Sequence, residues 1–159
     1  MKRSVLTIMI LFILFVAYSF AEGLYPKSSG NMERTLYITG EEAIESVMKL
    51  HRGSDIELED AVVCEYKGAN GANMIIWASL SGNKNEANIL LDRMNKKMPS
   101  SKMYRDFRSF MYKGQEIFSV KGMGMENYYF VRGKWNYWIA IKNADSENIL
   151  KTFLDKLRD

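Results

Sequence analysis

From Gln115 to Lys142 the chain falls into three short runs, 115–121, 125–132 and 135–142, rich in aromatic and β-branched residues and separated by Gly122 and Gly124 and then by Gly133. Runs of this length punctuated by glycine predict strands joined by tight turns, and a Lys113-Gly114 turn precedes them. A second hairpin is predicted upstream. Asp55 to Lys67 alternates apolar and polar residues, Gly68-Ala69-Asn70-Gly71-Ala72 supplies turn chemistry, and Asn73 to Leu80 returns.

Helical spacing occurs in three places. In 40–52 a Thr39/Glu42 capping box precedes the stripe Ala43, Ile44, Val47, Met48, His51, with Gly53 beyond its end. In 85–98 the apolar positions are 87, 90, 91, 94 and 98, and Pro99 stops the run. In 146–157, Ile149, Leu150, Phe153, Leu154 and Leu157 form one stripe behind an N-cap at Asp145 or Ser146. The class these elements predict is α+β, an antiparallel β-sheet with helices packed on one face. An internal echo of 61 to 65 residues suggests two duplicated strand-strand-helix units: Tyr66-Lys67-Gly68, Trp77-Ala78-Ser79-Leu80 and the helix of Leu90 and Leu91 parallel Val131-Arg132-Gly133, Trp138-Ile139-Ala140-Ile141 and the helix of Phe153 and Leu154.

The N-terminus points to export. Lys2 and Arg3 precede an apolar run from Val5 to Phe20, and small residues, Ser19 and Ala21, sit three and one before a cut after Ala21. Residues 1–21 therefore read as a signal peptide, with an uncleaved membrane anchor as the alternative. The reading places the mature chain in the periplasm or outside the cell of a prokaryote, with no transmembrane segment left after cleavage. Residues 22–33 read as a flexible lead-in and 34–159 as a single domain, a size one core can serve among 159 residues.

Charge and composition exclude several functions. The whole chain has 22 Lys and Arg against 19 Asp and Glu, and loss of Lys2 and Arg3 brings the balance almost to zero, so nucleic acid is not an expected partner. One His and one Cys rule out a Cys-rich zinc site, an intrachain disulfide and a histidine cluster, and no cofactor is implied. Cys64 lies in an alternating apolar set and reads as a small buried hydrophobe. His51 reads as structural at a helix end. Ser46 and Lys49 fit S-x-x-K, but so do Ser81 and Lys84, and no K-T-G accompanies them. The segment from Asp55 lacks the glycine and the final glutamate of a calcium loop, and Gly122-Met123-Gly124 lacks the third glycine of a dinucleotide loop.

Strand alternation singles out one surface. If Ile139 and Ile141 face the helices, Trp138 faces away; by the same parity Ile76 and Ala78 face the helices while Ile75 and Trp77 do not. Tyr128 and Phe130, or else Tyr129, join the indoles according to register. Exposed apolar area of this kind marks a contact surface. The charges are also polarised: 41–65 holds eight acids and two bases, and 93–113 holds seven bases and one acid. Arg105 and Arg108 belong to the basic stretch, among aromatic residues, and complete the candidate binding set of Trp77, Trp138, Tyr128, Phe130, Ile75, Arg105 and Arg108. The expected function is that of an exported, non-enzymatic binding domain, associating with a second copy or an envelope protein through its aromatic sheet face. A carrier of a small apolar or lipidic ligand is the alternative, and a small serine-type hydrolase using Ser46, Lys49 or His51 is the second alternative.

Overall fold

Two-residue turns set the strand pattern. Lys113 and Gly114 take φ of 49° and 79°, and Met123 and Gly124 take 55° and 73°, the left-handed pair that matches the twist of the strands they join. The computed structural model describes residues 25–51 and 56–157, so the segment read as a signal peptide lies outside the described residues. Its strands are β1 (Ser28–Ser29), β2 (Met32–Thr39), β3 (Asp60–Lys67), β4 (Asn73–Leu80), β5 (Tyr104–Tyr112), β6 (Gln115–Gly122), β7 (Met125–Arg132) and β8 (Trp135–Lys142). They form one antiparallel sheet in the order β1-β2-β3-β4-β8-β7-β6-β5. The α+β class and the antiparallel sheet expected from the sequence are present. Strands β4 and β8 meet at its centre, where Trp77 lies directly opposite Trp138.

Three helices follow the predicted stripes: α1 (Glu41–Leu50), α2 (Lys84–Lys97) and α3 (Ser146–Lys156). Asn83 caps α2 by accepting from the Glu86 backbone N–H at 3.0 Å while its own amide donates to the Glu86 carboxylate at 2.8 Å, a reciprocal box. Asp145 caps α3 through the Asn148 N–H. The expected Thr39 cap of α1 does not form. Thr39 ends β2, paired with Val62, and Gly40 at φ 67° takes the N-cap position without a side-chain hydrogen bond. Pro99 stands in a short 3-10 turn, Met98–Ser100, that closes α2.

The helices divide between the two faces instead of sharing one, which corrects the expected single layer. Helix α3 alone covers Met74, Ile76, Ala78, Tyr128, Phe130, Tyr137, Ile139 and Ile141, burying Ile149, Leu150, Phe153 and Leu154 among them. Helix α1 lies on the opposite face, its Ala43 and Val47 packed with Ala61, Val63 and Trp77. Helix α2 shares that face, because Asn136, which has the parity of Trp138, donates from Nδ2 to the Ala87 carbonyl at 2.9 Å. Strand parity says which side chains share a face. It does not say which face a later helix will cover.

Residues 25–33, expected to be a loose lead-in, also belong to the fold. Tyr25 and Met32 are buried in the α3 cluster, β1 pairs with β2, and Gly30 turns between them at φ 58° with the Ile149 side chain where a Cβ would lie. Two apolar residues in a polar stretch suffice to order it, because both fill the core. Cys64 is fully buried there, and burial pushes its thiol up to about 12, so it stays protonated.

Candidate binding face

The face that carries α1 and α2 holds a row of apolar and aromatic side chains running across the sheet. Ile38, Val63, Trp77, Trp138, Tyr129, Phe118 and Ser109 are successive cross-strand neighbours from β2 to β5. The rings stack along it: Tyr129 on Trp138 at 5.4 Å and 8°, Phe118 on Tyr129 at 5.4 Å and 20°, and Phe107 on Phe118 at 6.1 Å and 21°. Offset stacking at such spacings adds to the burial energy of each ring and fixes its orientation.

Trp138 is held on three sides. Its Nε1 donates to Asn127 Oδ1 at 3.2 Å, Tyr129 stacks on it, and Tyr104 meets it edge-on at 5.5 Å. Tyr104 reaches it across Gly122, where an added Cβ would lie 2.4 Å from the Tyr104 ring and 2.6 Å from the Met103 carbonyl. Glycine at 122 is thus a requirement of the aromatic array and not of the turn, whose left-handed positions are Met123 and Gly124. Trp77 packs against the α1 cluster, and both indoles remain partly exposed. Ile75 continues the Trp77 side of β4, paired with Ala140.

Helix α2 sits loosely on this array. Of its residues only Ala87 is buried, whereas Leu90, Leu91 and Met94 are half-buried and Ile89 is 42% exposed. Polar ties help to hold it, among them the Asn136 bond to Ala87 and a Tyr129 hydroxyl that donates to Asn95 Oδ1 at 3.1 Å. Beyond it, toward the β5 edge, Phe107 and Met111 are 40% and 64% exposed. Apolar area lies open on that side of the helix.

The candidate residues therefore separate. Trp77, Trp138 and Ile75 share the α1–α2 face. Tyr128 and Phe130 lie on the other face, fully buried under α3, and it is Tyr129 that joins the indoles. Arg108 is on the α3 side as well, donating from Nε to Ser119 Oγ at 3.1 Å, and Arg105 is an exposed edge residue beside Asp106. Phe107, Phe118 and Tyr104 were not singled out from the sequence as members of this face. Phe118 alternates with the buried Ile117 and was open to the same parity argument; Phe107 follows a bulge at Asp106, φ 58°, which no alternation rule anticipates.

The residues weighed for hydrolysis do not assemble. No hydrogen bond joins Ser46 to Lys49 or His51 among the described residues, and burial, followed by the charge of Lys97, holds the His51 imidazole below its ordinary pKa. Among the described residues there is no group of three or more His, Cys, Asp or Glu that could hold a metal ion, and no helix is long and apolar enough to cross a membrane. No family model, curated protein or solved structure matches this chain. Its function has to be read from the faces themselves.

Proposed function

We infer that the protein is an exported, non-catalytic domain that works by binding, and that its first partner is a second copy of itself, joined through the α1–α2 face. The observation that carries this reading is the half-seated helix α2, whose apolar stripe and neighbouring aromatic array are left partly open on one contiguous side of the sheet. Charge favours a copy as occupant. Helix α1 begins with Glu41, Glu42 and Glu45, and the last turn of α2 carries Lys96 and Lys97, on the same face. A two-fold axis passing between the helices would lay the acidic end of each α1 on the basic end of the partner's α2, a self-complementary arrangement.

Light scattering on the chain from Glu22 onward tests it. That fragment contains both core clusters, which run from Tyr25 to Leu157. A dimer is expected, converted to monomer by Ile89→Glu, and weakened by Lys96→Glu with Lys97→Glu, then recovered when Glu41→Lys and Glu42→Lys are added. A wild type that stays monomeric up to its solubility limit removes the reading. The carrier alternative draws on the same loose helix, since an apolar ligand could enter between Leu91, Met94 and the Trp138 row; native mass spectrometry of a gently purified sample separates it from self-association by mass.

A further inference from the structure

At one end of the sheet, on the α3 side, a cleft of about 430 Å³ opens between the β6–β7 turn, the segment leading into β5 and the first turn of α3. Four cations line it, Lys102, Arg105, Lys121 and Lys142, against one acid, Glu126. Cross-strand pairing puts three of these charges side by side, Arg105 next to Lys121 and Lys121 next to Glu126. Glu126 is committed inward: its carboxylate accepts from Tyr128 Oη at 2.9 Å and from Ser146 Oγ, and Lys121 lies 3.4 Å from it. Two further acids are nearby: Asp106, 4.0 Å from both Arg105 and Lys121, and Asp145, between the lining residues Ala144 and Ser146, whose carboxylate caps α3. Lys102 and Lys142 have no ion-pair partner among the described residues. The cleft therefore keeps a cationic surplus.

Its rim is apolar where a soluble rim would be polar. Met123 is 74% exposed and Met103 64%. Met123 also occupies a left-handed turn position, φ 55°, that favours Asn, Asp or Gly, whereas the equivalent position of the β5–β6 turn carries Lys113. A protruding apolar side chain beside a group of cations is the pattern of a surface that rests on an anionic bilayer, with charge drawn to the head groups and the apolar tip entering their boundary with the acyl chains.

We propose that this end of the domain docks on a membrane containing anionic phospholipid, seating a phosphate head group among Lys102, Arg105, Lys121 and Lys142 while Met103 and Met123 enter the interface. The site borders the α1–α2 face, since Tyr104 and Gly122 line the cleft and also belong to the aromatic array, but the stacked rings of that array beyond Tyr104 do not line it. Docking here is tested apart from self-association there.

Flotation of the chain from Glu22 onward with vesicles tests it, using phosphatidylcholine alone and phosphatidylcholine mixed with phosphatidylglycerol. Binding only to the mixed vesicles is expected, screened by added salt. Lys102→Gln and Lys142→Gln should each lower partitioning about fivefold. Met123→Ser should lower it with charge unchanged, and Lys84→Gln, the same loss of charge at the opposite end of the sheet, should leave it intact. All four positions are at the surface, and unchanged melting curves will show that the variants fold. Equal binding to both vesicle types, no binding to either, or insensitivity to the lysine variants overturns the proposal. So does a Met123 methyl resonance that shifts with inorganic phosphate alone while vesicles fail to float the protein, since the ligand is then a soluble phosphate.

Discussion

The two faces of the sheet are covered by unequal lengths of helix, the 11 residues of α3 on one and the 10 of α1 with the 14 of α2 on the other, and are packed to different degrees. Under α3 the strands present almost only apolar side chains, and the helix answers with Ile149, Leu150, Phe153 and Leu154, all buried. Across the sheet the strands present Asn127, Asn136 and Ser79 among the aromatics, and α2 answers with one buried alanine. Each fully buried large apolar side chain contributes roughly 1.5 to 3 kcal/mol, so α3 is anchored by several such terms and α2 by hydrogen bonds worth about 1 kcal/mol apiece. One face is a completed core. The other packs α1 through Ala43 and Val47 but holds α2 weakly, and has apolar area to spare.

Truncation should break this comparison first if it is wrong. Phe153→Ala should cost about 3 to 5 kcal/mol in denaturant unfolding, because it empties a fully enclosed site. Leu91→Ala, on the half-seated helix, should cost less than about 1.5 kcal/mol, since water already reaches the side chain. Equal losses would mean that α2 is as much a part of the core as α3.

A smaller effect sharpens the account of the aromatic face. Gly122→Ala must displace the Tyr104 ring or the Met103 carbonyl, and should cost about 1 to 3 kcal/mol. The loss of the Tyr104 edge contact should appear as a changed Trp138 fluorescence. Stability without that spectral change would uncouple Gly122 from the array.

Smallest is a pH effect on α1. Burial first, and Lys97 second, hold His51 below its ordinary pKa of 6.5, so the unfolded chain takes up a proton more readily than the folded one. Stability is therefore full above that value and falls as pH drops through it. Melting temperature should decline gently on acidification from neutral pH, and His51→Gln should flatten that part of the curve. A slope that survives the substitution assigns the effect elsewhere.

Much of the architecture was legible because its causes are local. The strands of 125–132 and 135–142 match the observed β7 and β8, since alternation and flanking turn residues act over a few positions. Helix α2 was found within a residue at each end, from spacing and from a proline. The candidate site was legible in part. Trp77, Trp138 and Ile75 share a face as alternation requires, but the choice between Tyr128 with Phe130 and Tyr129 turned on the register of β7 against β8, which pairs Tyr129 with Trp138. Phe107 was hidden by a bulge, and the burial of Tyr25 and Met32 by the polarity of the residues around them.

What the sequence determined by itself was the list of elements and, within each strand, which residues stand together, because those follow from backbone periodicity and turn stereochemistry. Tertiary structure decided on which side of the sheet each helix came to rest. That choice depends on how apolar area on the two faces is shared among segments far apart in the chain, and no local pattern encodes it. It also decided that the central indoles, Trp77 and Trp138, would lie on the face of the loosely held helix and not under α3.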